Sequence, residues 1–197
     1  WSNFNNTKWW KVSNIMSELR VDTLKSKEGT STAMTIGSTG IISEPNRPCF
    51  HVTKNTDQTI NDATIAAVTF ESTTDGGESG TIINKGGLFA SNKFTVTAAT
   101  TGIYFFYYSL FTSSSGTTSD TYSYFRKNGS GQMQTALPMF VGHSYQYMMQ
   151  GNAVINLDTA GDYVEVVIDC DQNGGNSLLV NYNANYFRTE FGGYKIS

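Results

Sequence analysis

His51 and His143 are the only imidazoles in the chain. Neither is flanked by a Cys or Asp pair at metal-ligand spacing. The stretch with the spacing of a cation loop is Asp169-Cys170-Asp171-Gln172-Asn173-Gly174. Its oxygen donors, Asp169, Asp171 and Asn173, fall on alternate residues, and a Gly follows that lets the chain turn sharply. A hard cation such as calcium needs that arrangement. The bidentate acid that closes such a loop is missing, since Val180 stands in its place. A plain polar turn after a strand is therefore the competing reading. No Gly-x-Ser-x-Gly elbow, phosphate-cradling glycine loop or His-Glu-x-x-His pair occurs. Scattered Asp and Glu leave room for a glycosidase-type carboxylate pair, whose members can lie far apart in sequence. The residue types point away from catalysis, and no cofactor other than calcium is expected.

The elements that would position these residues follow from composition. The 197 residues are 13% aromatic and 15% charged and include only three prolines, a balance that favours sheet over helix. The length suits one good-sized domain with an appendage. A net charge of −3 without any Lys/Arg cluster argues against nucleic acid as a partner. No apolar run approaches the roughly 20 residues that cross a bilayer, and no basic leader followed by an apolar core is visible. Cys49 and Cys170 are far apart, and two unbridged, mostly buried thiols are expected. The sequons Asn5-Asn6-Thr7 and Asn128-Gly129-Ser130 are short matches in an Asn/Thr-rich chain.

The chain is organised around residues 93–111, KFTVTAATTGIYFFYYSLF. In 93–98, Phe94, Val96 and Ala98 alternate with Lys93, Thr95 and Thr97, the period of a sheet with one wet face. In 102–111, Ile103 through Tyr108 are large on both faces, so the strand must be covered twice. A second subunit is the expected cover on one side. Further strands are expected at 49–53, 64–71, 122–127, 145–157, 163–169 and 187–196, with a short piece at 81–84. Gly/Asn/Asp turns separate them, as at Asp75-Gly76-Gly77 and Asn128-Gly129. This spacing describes an all-β, two-sheet antiparallel sandwich of jelly-roll type. Pro45 and Pro48 bracket the clearest boundary. The chain thus reads as an extended N-terminal arm, 1–48, with short strand-like pieces, followed by a head domain, 49–197.

The head resembles the globular domain of complement subcomponent q and the wider tumour-necrosis-factor superfamily. The resemblance rests on Cys49-Phe50-His51-Val52, Gly86-Gly87-Leu88-Phe89 with Phe94-Thr95-Val96, and Thr101-Gly102-Ile103-Tyr104-Phe105-Phe106. Lys127-Asn128-Gly129, Ala153–Leu157 with Gly161-Asp162-Tyr163-Val164-Glu165-Val166, and Phe191-Gly192-Gly193-Tyr194 continue it in order. The chain departs from the pattern in lacking a collagen-like stalk and in carrying Lys195 and Ile196 near its end. What the resemblance implies is a ten-stranded jelly roll packed as a homotrimer. Tyr104, Phe106 and Tyr108, or their alternates, would serve the threefold contact, with Tyr145, Tyr147 and Met149 as further candidates. Members of the family also bind calcium near the trimer apex.

Residues 16–48 resemble the N-terminal stretches of tail-fibre and capsid-associated proteins of bacteriophages, especially those of marine cyanobacteria. That resemblance implies a non-enzymatic, homotrimeric structural protein on the virion surface, a capsid-decorating or fibre protein. Its arm would dock on a capsid or tail protein and take part in trimer association. The indole-rich start, with Trp1, Trp9 and Trp10, is the expected docking peptide. A further expectation is that the head attaches to a host-surface glycan or protein through the Ser/Gly/Asn-rich loops 112–121, 130–143 and 172–186. The alternative is a secreted trimeric glycan- or protein-binding recognition module of the complement q type.

Overall fold

A computed structural model describes residues 23–25, 32–44, 46–70, 82–114, 121–130, 132–133, 146–171, 175–181, 183–184 and 187–197. The chain divides into two compact units, Trp1–Pro45 and Asn46–Ser197. Every regular element among the described residues is a β-strand.

In the first unit, β1 (Thr23–Lys25), β2 (Thr32–Ile36) and β3 (Ile42–Ser43) form an antiparallel sheet in the order β1-β2-β3. Leu24, Ile41 and Ile42 stay exposed there, because strands this short cannot close a core of their own.

The second unit runs through β4 (Cys49–Thr53), β5 (Gln58–Ile60), β6 (Thr64–Ala67), β7 (Ile83–Lys85), β8 (Phe89–Ala90) and β9 (Lys93–Thr95). It continues through β10 (Gly102–Ser114), β11 (Tyr122–Lys127), β12 (Gln132–Met133), β13 (Gln146–Leu157) and β14 (Tyr163–Cys170). The last strands are β15 (Leu178–Val180), β16 (Asn183–Ala184), β17 (Phe187–Arg188) and β18 (Glu190–Lys195).

Two sheets result. The first is centred on β10, which pairs along one edge with β13, from Gly102 opposite Leu157 to Ser113 opposite Gln146. Its other edge is shared by β18 and β15; β18 then pairs with β4, and β4 with β7. The second sheet is centred on β14, with β11 and β12 to one side and β9, β8 and β6 to the other. Successive main strands change sheet: β4 in the first, β9 in the second, β10 in the first, β11 and β12 in the second. β13 and β18 return to the first sheet on either side of β14 in the second. That winding is the jelly roll the sequence predicts.

The core between the sheets is aromatic. The Phe50 ring stacks on Phe89 at 5.3 Å and on Phe94 at 4.8 Å, and meets Phe191 edge-on at 4.8 Å. Phe106 reaches Phe94 at 5.4 Å in the same edge-on manner. Burying each such ring contributes about 1.5–3 kcal/mol. Gly193 makes this packing fit, since a Cβ there would sit 2.7 Å from both the Phe105 carbonyl oxygen and the Phe106 ring.

One end of the sandwich is clamped by Asp162. Its carboxylate accepts hydrogen bonds from Asn128 Nδ2 at 2.8 Å and from the Thr159 amide at 3.1 Å, and it pairs with Lys127 Nζ at 3.2 Å. These donors hold its carboxyl below the usual range, the Asn128 amide contributing most. Asn128 sits in the left-handed region (φ 55°) of the Asn-Gly turn, and its Oδ1 accepts the Tyr163 amide at 2.9 Å, so one side chain ties two turns together.

The structure extends β10 to Ser114, adds β5, β8, β12, β15 and β16 to the predicted strands, and divides the strand expected at 187–196 into β17 and β18. The extension is held by β13 and β15, whose backbones pair with the polar Thr112–Ser114 end. No disulfide joins Cys49 and Cys170.

Candidate functional site

The face of the first sheet turned away from the core is where the chain carries unusual chemistry. On β10 the period of two sends Tyr104, Phe106, Tyr108 and Leu110 inward and leaves Ile103, Phe105 and Tyr107 outward. Pairing sets their neighbours: Phe105 lies opposite Val154 on one side and Tyr194 on the other, and Tyr107 lies opposite Asn152 and Gly192. The Phe105 and Tyr194 rings are 5.4 Å apart. Val154, Tyr194 and Ile103 remain 56%, 47% and 39% exposed. A contiguous apolar face on a central strand is unusual for a surface left to water.

Within it lies a fixed polar cluster. Tyr107 lies flat across β18, where a Cβ at Gly192 would sit 2.5 Å from its Cζ, so the ring occupies the space that glycine leaves. The Tyr107 hydroxyl reaches His51 Nδ1 on β4 at 2.9 Å, and the two rings are nearly parallel at 6.2 Å. The other nitrogen, His51 Nε2, faces Glu190 Oε2 at 3.8 Å. Burial, helped by the Glu190 carboxylate, raises the Tyr107 hydroxyl above its ordinary pKa, so it stays protonated as a hydrogen-bonding group.

The expected contact residues fall elsewhere. Tyr104, Phe106 and Tyr108 are inside the sandwich of a single chain, with at most 2% of their surface exposed. Tyr104 donates its hydroxyl to the Thr100 carbonyl, and burial pushes it up to about 12. Tyr108 shares a 2.8 Å hydrogen bond with Ser123 of the facing sheet. The contact expectation for these three is therefore corrected: the outward positions are their alternates, Ile103, Phe105 and Tyr107. Met149 is likewise core and Tyr147 packs against it, while Tyr145 lies outside the described residues.

Asp169 is the penultimate residue of β14 on the second sheet, opposite Tyr122 and Ile65, with Asp171 just beyond the strand. Asn173 lies outside the described residues, as do Trp1, Trp9, Trp10 and most of the three Ser/Gly/Asn-rich loops. Among the described residues no three His, Cys, Asp or Glu side chains gather as a metal group. The sequence reading missed Tyr194, Val154, His51 and Glu190 as parts of one face. The signal available was the Gly192-Gly193 pair in a strand, which marks close approach on both faces.

No family model matches the chain, and no curated protein matches it. Solved structures do resemble it, and they are complement q- and tumour-necrosis-factor-like domains at low identity. The globular domain of zebrafish complement 1qA is 20% identical over 76% of this chain and 98% of its own, with a TM-score of 0.48. Eiger TNF from S. frugiperda is 14% identical over 77% and 94%, with a TM-score of 0.47. Murine APRIL is 17% identical over 76% and 99%, with a TM-score of 0.46.

Proposed function

We propose that this chain is a non-enzymatic structural module that assembles as a homotrimer through the outward face of its first sheet. The observation that carries the reading is the patch of Phe105, Tyr194, Val154 and Ile103 around a Tyr107 ring already fixed in place. Such a patch gains by being covered, and the Tyr107 hydroxyl is already bonded to His51 within the chain, so a partner need supply no hydrogen bond to it. Glu190 at one end and Lys85 at the other let a rotated copy set unlike charges together. The homotrimer itself is what the sequence resemblance of residues 49–197 implies.

The finer placement is a capsid-decorating or fibre protein on the virion surface, anchored by the arm and displaying the head, with host attachment as an added role. It is supported by the resemblance of residues 16–48 alone. Mass spectrometry of purified particles tests it, and absence of the protein from them contradicts it. Assembly is tested by light scattering of the full chain and of residues 46–197, the unit that contains its whole core. Three chains per particle in both samples is the expected result, and a monomeric 46–197 contradicts the reading.

A further inference from the structure

Granted that this face joins copies of the chain, we infer that the His51–Tyr107–Glu190 cluster makes the assembly acid-labile, protonation of His51 releasing the subunits. Histidine is the side chain whose ordinary titration falls between about pH 5 and 8. His51 sits inside the apolar patch rather than at a distance from it, with 22% of its side chain exposed.

The groups around it are few. Its own strand offers Cys49 and Thr53 on the same face. From β18 comes Glu190, 31% exposed, and from β10 the Tyr107 hydroxyl. From β7 come Ile83, directly opposite His51, and Lys85, opposite Cys49. Beyond Tyr107, β13 presents the neutral Asn152.

With neutral imidazole, Nδ1 accepts the Tyr107 O–H and Nε2 carries its hydrogen toward Glu190. The hydroxyl proton is then turned toward the imidazole and away from the contact plane. When one proton is taken from solvent, both ring nitrogens become donors. Tyr107 must now accept from Nδ1–H, and its own proton swings away from the imidazole toward the contact plane. Glu190 offsets part of the new charge, but at 3.8 Å it is beyond hydrogen-bond length and does nothing for the tyrosine proton. In separate chains water takes up both the charge and the donor. Between copies neither is solvated, and the symmetry of a homo-oligomer repeats the cost at every contact. Proton uptake therefore favours the separated chains, and assembly is lost as pH falls.

The test is light scattering of the full chain and of residues 46–197 at about pH 7.5 and about pH 5.5, either side of the ordinary histidine titration. A His51→Gln variant is measured in parallel, neutral at both values and able to meet the Tyr107 hydroxyl. The wild type is expected to be trimeric at the higher pH. At the lower pH its half-dissociation concentration should rise roughly tenfold or more, the ratio one uncompensated buried donor carries. The His51→Gln chain should show no such shift. A wild-type mass unchanged across the two values overturns the switch, as does a His51→Gln chain that dissociates on acidification. A wild-type 46–197 that is monomeric at the higher pH overturns the assembly reading itself.

Discussion

Six consecutive residues of β10, Ile103 and the five aromatics that follow it to Tyr108, are all large, yet the two faces they form have different fates. Tyr104, Phe106 and Tyr108 are sealed between the sheets, while Ile103, Phe105 and Tyr107 face out. The neighbouring strand separates them. Gly193 leaves room on the inner side for Phe106 and Phe50, and Gly192 leaves room on the outer side for Tyr107. One face is filled by the chain's own second sheet. The other leaves Ile103, Val154 and Tyr194 exposed around the Tyr107–His51 pair, and it is the face through which the proposed assembly would form. Hydrophobicity alone therefore does not assign a role to an aromatic residue; the shape of the adjacent strand does.

The contrast can be broken from the inside first. Phe106→Ala removes a fully buried ring that touches Phe94, Phe50 and Phe125, and should cost about 3–5 kcal/mol of stability by urea unfolding. A loss below about 1 kcal/mol would mean that the inner face is not the core. Gly192→Ala drives a methyl into the Tyr107 ring. A cost of about 1–3 kcal/mol is expected, with Tyr107 displaced from His51 and the hydroxyl's ultraviolet titration moving toward its ordinary value.

The Asp162 clamp gives a smaller effect whose sign is fixed by its lowered pKa. A carboxyl held below its ordinary 3.8 stabilises the fold fully above that value and loses the contribution as pH falls through the folded pKa. Asp162→Asn should therefore lower the melting temperature at neutral pH and flatten the acid-side decline, seen by calorimetry from pH about 6 down to about 2. The smallest effect on folding is expected on the outside. Phe105→Ser should change unfolding of the monomer by no more than about 1 kcal/mol while abolishing self-association.

Much of the architecture was legible from residues alone. The alternation in Cys49–Thr53 agrees with its observed bounds, because Phe50 and Val52 face the core while Cys49, His51 and Thr53 do not; Tyr122–Lys127 also has its expected bounds, with Ser123, Tyr124 and Phe125 buried in succession. Gln58–Ile60 and Leu178–Val180 were not legible. Three residues bounded by polar neighbours carry no period, and they become strands only because each pairs with the other and Leu178–Val180 reaches the end of β10. The candidate site was half legible. That β10 carries large side chains on both faces could be read from Ile103–Tyr108, but which alternate set faces outward depends on the phase of the strand relative to the core. His51 looked isolated in the sequence because its partners, Tyr107 and Glu190, are 56 and 139 residues away and arrive only through strand pairing.

The measurement that bears most directly on the central claim is the solution mass of residues 46–197, as wild type and as Phe105→Glu. An outward face that joins copies predicts three chains for the wild type and one for the variant, with the same circular dichroism for both. A wild type of one chain mass, or a variant that stays trimeric, would contradict it.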